Sequence, residues 1–120
     1  MSAYQQPEDF AYGKALMSLA PKEAQAFLNL KAVAERADGA IPAKYRELIS
    51  IAVALTTQCS YCIDAHTKNA LEAGATREEL AETVFIASAL RAGAAVGHGL
   101  MALKLFDEKA AQASSEPGRA

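Results

Sequence analysis

The chain has 120 residues, 52% of them hydrophobic and 7% aromatic, with a formal net charge of -2. One domain accounts for that length, and without a basic block no phosphate-tracking nucleic-acid surface is expected. No run approaches the roughly 18 apolar residues that span a bilayer, and the N-terminus lacks the basic and apolar regions of a signal peptide. A soluble, cytoplasmic protein with no membrane partner is therefore the expectation.

Much of the hydrophobic fraction is alanine, which favours helix but buries little area per residue. That composition predicts a thin-cored, all-α single domain of about six helices that gains stability from subunit contacts. The domain is expected over residues 1–113, with residues 114–120 a polar, disordered tail.

Punctuation marks the elements in turn. The first helix runs from Pro7 to about Ser18, with Glu8 and Asp9 following the proline in the first turn. Pro21 opens a second, which directs Ala24, Phe27, Leu28, Leu30 and Val33 towards a core and ends at Asp38-Gly39. Pro42 opens a third, apolar nearly all round after Ser50, as a central buried helix is. A strand competes for Leu48 to Leu55. Helix is preferred, because the pattern reaches back to Pro42 without a turn residue.

Thr56-Thr57-Gln58 weakens that helix, and the cysteine segment starts a fourth that lasts to about Ala73, with Gly74 as its cap. Thr76 and Glu79 fit a capping box opening a fifth helix to about Leu90. A sixth spans roughly Ala92 to Ala111 and carries Val96, Leu100, Leu103 and Phe106 as its apolar stripe.

The chemistry concentrates in Cys59-Ser60-Tyr61-Cys62-Ile63-Asp64-Ala65-His66. At 3.6 residues per turn, Cys59, Cys62 and His66 fall within about 60° of one another on a helix face. A close cysteine pair in a cytosolic chain points to redox or metal work rather than to a structural framework. A helix start favours the thiolate, which is the reactive form, and His66 can accept a proton or stabilise the anion. One thiolate attacking a peroxide gives a sulfenic acid that the other cysteine resolves as a disulfide. An external thiol or dithiol must then reset the pair.

Other readings compete. Two buried cysteines with a satisfied core histidine is the bland one. A closed zinc site needs four ligands, and three cluster here. A thioredoxin fold needs a strand leading into the motif, where helix is predicted on both sides.

With Glu47 upstream, C-S-Y-C-I-D-A-H resembles the signature of alkylhydroperoxidase D-like proteins, within the carboxymuconolactone decarboxylase superfamily. The resemblance covers about Ile41 to Leu90. It implies an all-helical trimer or hexamer that reduces peroxides without a cofactor or bound metal. It also implies roles: Cys62 reacts with peroxide, Cys59 closes the disulfide, His66 relays protons and Glu47 is the carboxylate end of the relay. The best-known members carry a second histidine between the cysteines, where this chain has Tyr61, and a phenol is a poor base near neutral pH.

On sequence alone Glu47 reads as a solvent-facing helix residue near Arg46, and only the resemblance gives it a role. His98 reads as structural or exposed, and Asp64 as a first-turn acid facing away from the cysteines. Met17 and Met101 read as fillers, and Arg77, Glu78, Glu79 and Glu82 as a solvated face. Three further classes stay open: a protein disulfide reductase, a lactone-acid decarboxylase with dispensable cysteines, and a metal-binding Cys-x-x-Cys/His protein.

Overall fold

The computed structural model describes residues 6–115, which contain no strand; they form a short 3-10 turn, Pro7–Ala11, and five α-helices. These are α1 (Tyr12–Leu19), α2 (Pro21–Ala34), α3 (Ala43–Thr57), α4 (Ser60–Glu72) and α5 (Arg77–Ser115). Pro21 occupies the first turn of α2 and Pro42 caps α3, two places where a missing N–H costs nothing.

The predicted fifth and sixth helices are one, 39 residues long. Arg91-Ala92-Gly93 contains no proline, and a glycine inside a helix costs only about 1 kcal/mol against alanine. Alanine-rich turns on either side outweigh that, so the helix continues. It also takes in residues 114 and 115, which the sequence reading assigned to the tail. Residues 116–120 of that tail, like residues 1–5, lie outside the described region.

Residue Gly74 ends α4 with φ +90°, a left-handed value that L side chains rarely adopt. The Ala75 N–H reaches the Ala70 carbonyl and the Gly74 N–H that of Leu71, so two otherwise orphaned carbonyls are satisfied. Two residues on, Thr76 and Glu79 exchange backbone-to-side-chain hydrogen bonds of 2.9 and 3.0 Å, the reciprocal box expected at the start of α5.

The core is small. Leu48, Ile51 and Ala54 of α3 are buried, as are Ala70 of α4 and Ala87 of α5, with Leu55, Ala75 and Leu80 packed around Leu48, Ile51 and Ala70. Thus α3 packs between α4 and α5. It is buried on one face only, since Ile49 and Val53 are half exposed. The expected core face of α2 is also open in the single chain: Phe27, Leu28, Leu30 and Val33 are all exposed. So is the stripe Val96, Leu100, Leu103 and Phe106. The periodicity marks these faces as apolar, but the described residues of one copy leave them largely uncovered.

The dimensions agree. The radius of gyration is 21.6 Å, where a compact chain of this length would have about 14 Å. Contrary to the expectation from apolar runs, α5 is long and apolar enough to cross a membrane by length and composition alone. Val84, Phe85, Ile86, Leu90, Val96 and Leu100, with the alanines between them, bring it to that level in spite of Arg91 and His98.

Candidate active site

The site is built at the joint between α3 and α4. Gln58 takes the left-handed conformation, φ 59°, and both its N–H and that of Cys59 point to the Ala54 carbonyl. The chain therefore turns sharply, and Cys59 becomes the N-cap of α4 in an extended conformation. Its Sγ accepts the Cys62 N–H at 3.3 Å. The two cysteines form a disulfide, with Cα atoms 5.3 Å apart. Free N–H groups at a helix start favour negative charge, so either sulfur leaving this disulfide as a thiolate would do so in a favourable field.

One turn further on, His66 is buried, with 8% of its surface exposed. Its Nδ1 lies 2.6 Å from Glu47 Oε2, and its Nε2 lies 3.0 Å from Glu35 Oε1. Glu47 projects from the second turn of α3, and its side chain is 14% exposed, so the solvent-facing reading of this residue does not hold. Four positions singled out in the sequence thus sit on two consecutive helices. Cys59 and Cys62 are bonded to each other, and Glu47 is bonded to His66. Neither ring nitrogen of His66 hydrogen-bonds to a described sulfur in this disulfide state.

Sequence reasoning missed Glu35. It caps the C-terminal end of α2 and pairs with Lys31 one turn earlier, a pattern that reads as an ordinary surface pair. Arg46 holds it in place indirectly. The Arg46 guanidinium donates to the carbonyls of Ala34 at 2.7 Å and Ile41 at 2.9 Å, which ties the end of α2 to the start of α3. Gly39 leaves room for this, since a Cβ there would sit 1.7 Å from an Arg46 nitrogen.

Tyr61 is partly buried, its ring packed edge-on against Phe10 at 5.6 Å between centroids. Asp64 is exposed, as predicted, and His98 is exposed on α5. Met17 is partly buried and Met101 exposed. Within one chain, no group of three or more His, Cys, Asp and Glu among the described residues is arranged to hold a metal ion.

Away from the site, Lys44 of α3 lies 2.9 Å from Glu79 of α5. The hydrogen bond to Glu79 raises the Lys44 pKa above its ordinary value. The same bond, followed by the Thr76 N–H, lowers that of Glu79.

Comparison with known proteins fits this geometry. The model of the carboxymuconolactone decarboxylase family matches residues 21–105, most of the chain. The protein belongs to the carboxymuconolactone decarboxylase family. The cysteine pair makes it an alkylhydroperoxidase D-like member.

Among relatives, an uncharacterized protein encoded in the cox locus of Paracoccus denitrificans is 46% identical over 83 residues, 69% of this chain and 74% of the relative. An uncharacterized protein of Cupriavidus necator is 37% identical over 93 residues, 78% of this chain and 81% of that one. The apo crystal structure of a carboxymuconolactone decarboxylase family protein from Legionella pneumophila is 33% identical, with a TM-score of 0.62. That match covers 84% of this chain and 90% of the other. A crystal structure from Methanobacterium thermoautotrophicum is also 33% identical, with a TM-score of 0.64 over 75% and 97% of the two chains.

Proposed function

We propose that this family member is a cytoplasmic thiol-dependent peroxidase that works through a Cys59–Cys62 cycle. The observation that carries the reading is the disulfide at the start of α4, with the buried Glu47–His66 pair one turn behind it. In the reduced enzyme the Cys62 thiolate attacks the distal peroxide oxygen. The O–O bond breaks, the leaving alkoxide takes a proton, and Cys62 becomes a sulfenic acid. Cys59 then attacks that sulfur, water departs, and the disulfide forms. An external dithiol supplies the two electrons that restore both thiols. Glu47 orients the imidazole by accepting from Nδ1, and His66 moves the protons.

Nothing in this cycle requires a cofactor. Tyr61, where better-known members carry histidine, contributes an apolar contact to Phe10 rather than a second base. The partners of the reading are a peroxide, a dithiol reductant and further copies of the chain in a trimer or hexamer. Nucleic acid and membranes have no part in it.

The test is steady-state peroxide reduction with an excess dithiol, comparing wild type with Cys62→Ser. A fall of at least about a hundredfold is expected if the nucleophile is lost. Equal turnover would remove Cys62 from the mechanism. Retained lactone-acid decarboxylation by a Cys59→Ala/Cys62→Ala variant would favour the decarboxylase class instead. Disulfide reduction in partner proteins without peroxide turnover would favour a reductase.

A further inference from the structure

His66 is not a two-member relay in this structure. Both ring nitrogens face a carboxylate, Glu47 at 2.6 Å and Glu35 at 3.0 Å, and a buried ring so held has no freedom to turn. The Glu47 contact is a hydrogen bond, whereas Glu35 approaches Nε2 as an ion pair, and each is attractive only with a hydrogen on the ring nitrogen it faces. An ionised carboxylate has none to give and a neutral imidazole has one. Satisfying both contacts therefore takes one proton more than a neutral ring between two carboxylates carries.

We propose that Glu35 is a positioning residue for the cysteine cycle: it closes a carboxylate–imidazole–carboxylate bridge that stores a proton one turn from Cys62. This deepens the peroxidase reading and rests on it for the use to which the proton is put. The charged side chains on His66 among the described residues are Glu47 from α3 and Glu35 from the C-terminal cap of α2, with the Lys31 ammonium bonded to the other Glu35 oxygen. With two carboxylates, one imidazole and two bridging protons, the trio carries one negative charge rather than two. Lys31 offsets it.

The cycle uses such a store twice. When the O–O bond breaks, the departing alkoxide needs a proton. When the dithiol opens the disulfide, the departing cysteine sulfur takes one. Once the ring has given up its Nε2 hydrogen, a bare nitrogen faces the Glu35 carboxylate, two acceptors 3 Å apart in a buried place. That bare nitrogen is the acceptor for a proton returned by water or by the incoming dithiol. Glu47 keeps the other hydrogen on Nδ1 throughout, so the ring returns in the same tautomer.

The placement of Glu35 is specified by several residues. Arg46 ties down the Ala34 and Ile41 carbonyls on either side of the turn, Gly39 makes space for the guanidinium, and Lys31 holds the other carboxylate oxygen.

The experiment uses the full chain in its disulfide form and nuclear magnetic resonance of the protons bridging to His66. Wild type should show two strongly downfield, exchange-protected protons. Glu35→Gln is isosteric, but its amide donates to Nε2, so one bridging proton should vanish while that of Glu47 persists. In the reduced protein, the pH profile of cysteine alkylation by iodoacetamide should shift in Glu35→Gln. Glu35→Asp, which keeps the charge on a shorter arm, should restore part of the shift.

A wild-type protein with a single bridging proton would overturn the proposal without any variant. An unchanged spectrum and alkylation profile in Glu35→Gln would overturn it as well. Neither readout involves peroxide. A protein that shows both signatures yet reduces no peroxide would keep the Glu35 assignment and lose the peroxidase one.

Discussion

One residue, Gln58, sets where the helix that carries the cysteine pair and His66 begins. Gln58 pays a left-handed backbone, φ 59°, to turn the chain between α3 and α4. For a residue with a side chain that conformation costs roughly 1–2 kcal/mol. Gln58→Gly should leave stability within about 1 kcal/mol of wild type, because relief of that strain is offset by a more flexible unfolded chain. Gln58→Val has no such compensation, and a β-branched side chain fits the region worst. It should lose at least about 1 kcal/mol in urea denaturation; equal midpoints for Val and Gly would mean that the left-handed turn at position 58 carries no strain. Glu35 was not legible in the sequence for a related reason. Its partner on His66 comes from another helix, and the only short-range signal is the Lys31 pair, which surface helices carry everywhere. Cys59, Cys62 and His66 were legible because helical spacing alone sets them on one face.

Helix starts were easier to read than helix ends. Pro21, Pro42 and the Thr76/Glu79 box each act within four residues of the boundary they set. The break expected near Leu90 is absent because no proline interrupts Arg91-Ala92-Gly93 and the alanine-rich turns on either side carry the helix through. Between elements, the link from α3 to α5 through Lys44 and Glu79 gives a pH signature. The lowered Glu79 pKa contributes stability that is present above the unfolded value of 4.5 and lost as pH falls through the folded one. The raised Lys44 pKa contributes stability that is complete below 10.5 and lost as pH rises through its folded value. The pair should therefore act across the neutral range and vanish at both ends. Lys44→Gln removes the pair and leaves the Thr76 box intact. Its deficit in melting temperature should be constant between about pH 6 and 9, shrink in high salt, and disappear in acid. A deficit unchanged at acid pH would assign the role of Lys44 to its stem packed on Tyr45, where the ammonium lies 5.0 Å from the ring centroid.

At the scale of the whole molecule, the exposed apolar faces call for a covering. The chain exposes 9704 Å², whereas a compact monomer of this mass would expose about 6,200 Å². The surplus is on the order of 3,000 Å², several times the roughly 800 Å² per partner of a standard interface. It is concentrated on α2 and along α5, where Phe27, Leu30, Phe85, Leu100 and Phe106 are all more than half exposed. The sequence pattern directs Phe27 and Leu30 to a core and sets Leu100 and Phe106 on an apolar stripe, which is coherent if the core is completed by other copies. A bilayer is the other apolar phase long enough for α5, but Arg91 and His98 would then lie within the spanning stretch, each at a cost of kcal/mol. Light scattering of the purified chain without detergent should give the mass of a trimer or a hexamer. Leu100→Glu should shift that mass downwards or unfold the protein, since a charge buried between copies has no partner. On a free surface the same change would alter stability by no more than about 0.5 kcal/mol and leave the mass unchanged. A monomeric wild type, or one recovered only in detergent, would remove the assembly from the account and leave the exposed faces of α2 and α5 to another partner.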